Sequence, residues 1–149
     1  MTGSASPIPP VINEMKEIAM LQTGTQSNIQ MMQSMQDCIR NCLDCSSICQ
    51  QCAAECISMD KSGMGQCIAL CLDCAAICTL NAELMNRESE YHVSVCELCA
   101  EICEDCAQLC EGLAQGEDSM LKDCAEACRR CGESCLSMSS METTGEEIH

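Results

Sequence analysis

The 149-residue chain has no Phe, no Trp and one Tyr, Tyr91, so the large rings that ordinarily dominate a protein core are missing. Its three prolines, Pro7, Pro9 and Pro10, all lie in the first ten residues, leaving the remainder free of helix breakers of that kind. Cations are scarce as well: 7 Lys and Arg against 23 Asp and Glu give a formal charge of -16. That balance argues against nucleic acid and anionic membrane surfaces, which attract positive patches, and fits a cationic ligand. No apolar run reaches transmembrane length, and no basic region followed by an apolar stretch marks a leader. The expected location is therefore cytoplasmic, or exported if a signal peptide has been removed. No nucleophile-base-acid arrangement and no phosphate-binding loop occurs, and the chain reads as a non-enzyme.

Sulfur fills the gap. The sequence holds 19 Cys and 12 Met, an extraordinary share for so short a chain. In a reducing compartment, cysteines at that density point to metal binding before disulfides.

Their spacing carries the argument. Cys38, Cys42, Cys45, Cys49, Cys52 and Cys56 step by 4, 3, 4, 3, 4, the alternation that keeps side chains on one helical stripe. Cys67, Cys71, Cys74 and Cys78 repeat it, as do Cys96, Cys99, Cys103, Cys106 and Cys110, and then Cys124, Cys128, Cys131 and Cys135. All the cysteines are thereby placed on four stripes. Turn-forming residues separate them at 60–65, 86–89 and 112–119. The pattern predicts an all-α protein, an antiparallel up-down-up-down four-helix bundle with a Cys-lined core, plus a short N-terminal helix. Helices are expected near 25–59, 66–86, 89–114 and 118–139, with the extra helix at 11–22 starting after Pro9 and Pro10 and stopping at Gly24. The domain organisation that follows is a flexible arm over 1–10, the short helix and linker over 11–24, the bundle over 25–139 and a flexible tail over 140–149.

Continuing each stripe past its last cysteine reaches Met35 and Met31, Asn81 and Met85, His92, and Met138. Antiparallel helices bring these to one end, where Met31, Met35, Met85, His92 and Met138 are candidate mouth ligands. The opposite end meets Met59, Met64, Leu113 and Leu121, an apolar plug.

Soft thiolate and thioether donors select Cu(I), zinc or iron-sulfur clusters. Nine CxxxC pairs suit low-coordinate ions held between two sulfurs, and Cys96 alone lies outside a pair. Burying many bare thiolates is costly, whereas exchanging each thiol proton for one Cu(I) leaves the core neutral. Zinc, which takes about four ligands, leaves an all-thiolate site negative. The expected cargo is multiple Cu(I) ions per chain, between about nine at two thiolates each and about 19 with bridging sulfurs. The alternatives are a zinc-buffering metallothionein-like protein and a thiol-based redox protein, the latter needing a cation such as Arg40, Arg129 or Arg130 to lower one thiol pKa. Ile39, Leu43, Leu72, Ile77 and Val95 lie off the stripes, available for helix packing or an oligomer interface.

Four helices with repeated CxxxC and CxxC steps, from Cys38-Ile-Arg-Asn-Cys42 to Cys131-Gly-Glu-Ser-Cys135, resemble the bacterial copper storage proteins over about residues 25–139. The resemblance implies a four-helix bundle that stores Cu(I) on core thiolates, loads it through one open end and assembles as a homotetramer. Copper ions are then the bound partners, with copper donor or acceptor proteins as further ones. The high cysteine count looks like the family's cytosolic branch, the Met-rich mouth like the exported one.

Overall fold

The computed structural model describes residues 8–60, 62–114 and 118–147, with side chains over 28–60, 62–114 and 118–141. Among these residues there are four helices and no strand: α1 Ile8–Met59, α2 Gly65–Asn86, α3 His92–Ala114 and α4 Ser119–Glu147. The chain divides into two compact units, Met1–Ser34 and Met35–His149. The first contributes the leading part of α1, where Ile29, Met31 and Met32 are exposed. The second holds every cysteine and the core.

Two helices are longer than their sequence signals suggest. A separate helix over 11–22 ending at Gly24 is not present, because α1 runs unbroken from Ile8. One interior glycine costs only about 1 kcal/mol relative to Ala, too little to interrupt a ladder intact on both sides. Pro9 and Pro10 sit in the first turn, where backbone N–H groups have no helical acceptor anyway. At the other terminus α4 continues eight residues past 139 to Glu147, through a segment free of proline.

Local chemistry fixes the connections. Asp60 (φ 49°) and Gly63 (φ 87°) take left-handed conformations between α1 and α2. After α2 the Ser89 N–H bonds the Leu84 carbonyl at 2.9 Å and the Glu88 N–H bonds that of Met85 at 3.0 Å, with Glu88 at φ 53°. This is a Schellman closure with Glu where glycine is usual. Ser89 then starts the next helix, its hydroxyl accepting from the Tyr91 N–H at 3.2 Å, so α3 proper begins three residues after the residue that caps it. Asp118 plays the same part for α4, accepting from the Leu121 N–H at 3.2 Å.

The core is made of small side chains: the cysteines, eight buried alanines and only a few larger groups, among them Met85, Leu121 and Met138. Partly buried Ile39, Ile48, Ile68, Leu70, Ile77, Ile102, Leu109 and Leu113 pack around it. Gly132 marks a close α3–α4 approach: a Cβ there would stand 3.5 Å from the Cys103 Cβ and 3.6 Å from the Ala100 carbonyl oxygen, ordinary contact distances. By length and composition α2 is apolar enough to cross a membrane, with mean hydropathy 1.7 over its most apolar window, which corrects the expectation that no segment reaches that length. Four cysteines supply much of that hydropathy, and all four are buried against the other helices.

Outside the core, polar side chains tie the helices. Ser46 bonds Thr79 at 2.7 Å and the Ala75 carbonyl at 3.0 Å across α1 and α2, and Asn41 donates to Ser134 at 2.6 Å across α1 and α4. Arg129 on α4 pairs with Glu111 at 2.6 Å and Glu104 at 3.1 Å on α3.

Candidate metal centre

Each helix turns its cysteine stripe inward because the 4, 3 alternation keeps that face continuous, and the result is a column of sulfur. Eighteen of the cysteines have no exposed surface, Cys56 is 5 % exposed, and none is in a disulfide. Cross-helix contacts follow an ordered register. From α1 to α4 the Sγ pairs are Cys38–Cys135 at 3.8 Å, Cys42–Cys131 at 3.5 Å, Cys45–Cys128 at 3.7 Å and Cys49–Cys124 at 3.7 Å. From α2 to α3 they are Cys67–Cys110 at 3.9 Å, Cys71–Cys106 at 3.8 Å, Cys74–Cys103 at 3.6 Å and Cys78–Cys99 at 3.7 Å. In both series one number rises while its partner falls. Between α2 and α4 the numbers rise together, from Cys71–Cys124 at 3.9 Å through Cys74–Cys128 at 3.9 Å to Cys78–Cys131 at 3.6 Å.

Contacts in two directions condense into groups of four. The Sγ atoms of Cys42, Cys99, Cys131 and Cys135 lie within 4.8 Å of one another, as do those of Cys45, Cys74, Cys78 and Cys103, of Cys49, Cys106, Cys124 and Cys128, and of Cys52, Cys67, Cys71 and Cys110. A further group, Cys45, Cys49, Cys74 and Cys128, straddles two of these. Sulfur is thus spaced almost continuously along the axis.

Thiols this close share protons. The Cys74 thiol is lowered to about 7, first by the hydrogen bond from Cys103, and the Cys96 thiol to about 3, first by those from Cys135 and Cys38, against the upward push of burial. Their neighbours move the other way: Cys131 is pushed up through its bond to Cys103, and Cys135 through its bond to Cys131. Emptying such a column of protons in bulk requires cations in their place. Two of the protein's own cations are engaged elsewhere. Arg129 is spent on Glu104 and Glu111, and Arg40 on Asp37 at 2.8 Å, all at the surface. This removes the thiol-activating role considered for them in a redox protein.

At one end of the column sits Asn81, fully buried. Its Nδ2 donates to the Cys135 sulfur at 3.3 Å and the Cys42 sulfur at 3.6 Å, while its Oδ1 accepts from the Cys96 thiol at 3.3 Å. The heptad phase puts Asn81 on the α2 stripe three residues after Cys78, yet nothing in the sequence says that its amide joins three cysteines from three helices. Beyond it on their stripes lie Met85, His92 and Met138, all buried, and Met35 is partly buried against the core. Met31 is 36 % exposed and belongs to the unit Met1–Ser34. On the opposite ends of the stripes Leu121 and Met64 are buried, with Met59 and Leu113 half-buried. Of the apolar residues off the stripes, Leu43 and Leu72 are about half exposed, whereas Ile39, Ile77 and Val95 are half-buried.

Residues 31–140 match the family model described as copper storage protein. Among solved structures, apo copper storage protein 3 from Bacillus subtilis is 36 % identical, with a TM-score of 0.62 over 70 % of this chain and 97 % of that one. Its Cu(I)-bound form is 34 % identical, with a TM-score of 0.66 over 71 % and 98 %. A cytosolic copper storage protein from Streptomyces lividans, carrying five coppers, is 31 % identical, with a TM-score of 0.67 over 74 % and 95 %. No relative is found among curated proteins.

Proposed function

The chain belongs to the copper storage protein family, and from that premise we propose that it sequesters Cu(I) in bulk on the thiols of its core, without catalysing a reaction. The observation that carries this is the run of buried Sγ atoms on all four helices, most of them 3.5 to 4.0 Å from a neighbouring sulfur. An isolated zinc site needs about four ligands, whereas this column supplies 19. Each Cu(I) that replaces a thiol proton adds no net charge, so filling proceeds without accumulating buried charge. The surface carboxylates and formal charge of -16 favour the approach of cations.

The 19 cysteines are the ligands in this reading. Met35, Met85, His92 and Met138 form the entry, their soft donors passing ions inward past Asn81. Leu121, Met64, Met59 and Leu113 close the other end. The helices alternate in direction, as the falling register of α1 against α4 and of α2 against α3 supports. Exposed Leu43 and Leu72 provide apolar surface for a homotetramer. A cytoplasmic location fits by relation to the Streptomyces lividans protein, and copper donor and acceptor proteins complete the traffic.

Anaerobic titration of the reduced chain against a chromophoric Cu(I) chelator, with metal analysis of the isolated protein, measures the load. The expected value is between about nine and about 19 ions per chain; saturation at one or two would replace storage by a carrier or sensor role. Run in a stopped-flow instrument on Met35→Leu/His92→Leu, the same titration is expected to slow while its endpoint stays. Unchanged rates would remove the entry role from those two residues.

A further inference from the structure

The sulfur groups have a metric that Cu(I) storage does not require. The four groups built on Cys42, Cys45, Cys49 and Cys52 with their three partners share no member, and together they divide sixteen of the cysteines into separate sets along the axis. A Zn–S bond is about 2.3 Å, so the edge of a regular zinc tetrathiolate is about 3.8 Å. In the group Cys42, Cys99, Cys131 and Cys135 the Sγ contacts are 3.8 Å for Cys42–Cys135, 3.5 Å for Cys42–Cys131 and 4.0 Å for Cys131–Cys135. Three of the sulfurs thus form one face of that size, and the Cys99 Sγ lies within 4.8 Å of each of them.

Charge chooses among the groups. Four thiols that take up one Zn2+ release four protons and become a set of net charge 2−, which is costly to bury unless hydrogen-bond donors face the sulfurs. Only one of the four groups has such a donor among the described residues: the Asn81 amide nitrogen lies 3.3 Å from Cys135 and 3.6 Å from Cys42. Filling a second group would bury another 2− in the same column, and so the first site limits the rest.

We propose that the copper-free protein binds one divalent d10 cation, zinc, on Cys42, Cys99, Cys131 and Cys135, with the Asn81 amide donating to two of the four sulfurs. Incoming copper displaces it. Four Cu(I) ions on the same four thiolates give a neutral set and release one Zn2+, a balance in which no electron moves. The zinc site follows from the geometry of the copper-free chain and stands whether or not the column fills with copper.

Co(II) serves as the coloured probe for the test, added anaerobically to the reduced, copper-free full chain, with Zn(II) then added in competition. The expected result is saturation at one Co(II) per chain, with the intense visible bands of a tetrahedral four-sulfur site, release of four protons, and bleaching by one equivalent of zinc. Cys99→Ser should abolish or shift those bands, and Cys67→Ser, in the group at the far end, should leave them unchanged. Asn81→Leu should weaken binding by about 10-fold or more, the usual consequence of losing an outer hydrogen bond to a ligand. Helicity measured on each variant separates a lost site from a lost fold, and Cys99→Ser tests the site even if Asn81→Leu does not fold. Cu(I) added to the zinc form should raise free zinc, read with a zinc dye. The proposal is overturned by the pale spectrum of an oxygen-ligated surface ion, by saturation well above one ion, or by loss on Cys67→Ser with retention on Cys99→Ser. Zinc that binds as described and stays when copper is added would leave the site standing and count against the storage reading.

Discussion

Copper loading should raise the melting temperature by tens of degrees, a larger change than any single substitution in this chain can produce. Ligands that bind only the folded state stabilise it by mass action, about 2.7 kcal/mol for each site at a free concentration 100 times its Kd. About nine such ions add roughly 24 kcal/mol, where a whole domain commonly has about 5–15 kcal/mol. The copper-free chain starts low on that scale, because its core is cysteine and alanine with no aromatic ring and few large aliphatic groups. Calorimetry of the apo and loaded forms under argon reads the difference directly, and a strong Cu(I) chelator should return the loaded form to the apo transition. Coincident transitions would mean that the copper resides outside the folded core.

The second large effect separates the scaffold from its cargo. Leu121, 1 % exposed, is one of the few large aliphatic side chains inside the bundle, at the end where Met64 is also buried. Replacing it with alanine removes buried methyl groups and leaves a cavity that the neighbouring helices fill only in part, at a cost of about 2–5 kcal/mol. Leu121→Ala should therefore lower the apo unfolding free energy by that amount, read from denaturant titration, while its Cu(I) endpoint remains that of the parent, since no sulfur has been removed. A loss of capacity in a variant that still shows full helicity would make the plug a part of the storage site.

Much of this arrangement was legible in the cysteine spacing. A helix whose side chains recur at 4, 3, 4 has one continuous face, four such helices without rings to fill a core have little else to bury, and so the thiols of Cys38 through Cys135 converge. What remained hidden depended on tertiary partners or on weak local signals. A break at Gly24 rests on one glycine, whose cost a long helix absorbs, and the continuation of α4 to Glu147 lies in a polar segment where periodicity says little. The hydropathy of α2 passes for a membrane span because cysteine weighs as an apolar residue, although Cys67, Cys71, Cys74 and Cys78 each touch another thiol. Asn81 is the clearest case. Its stripe position followed from Cys78, but its hydrogen bonds to Cys42, Cys96 and Cys135 exist only once three other segments have packed around it.

Sulfur from four helices shares one interior, and diffraction at the copper absorption edge from crystals of the loaded chain tests that arrangement most directly. The arrangement predicts anomalous peaks strung along the bundle axis, each within bonding reach of Sγ atoms from the Cys38, Cys67, Cys96 and Cys124 stripes. Peaks confined to surface carboxylates, or a single peak at one end with the thiols between them empty at full load, would contradict it.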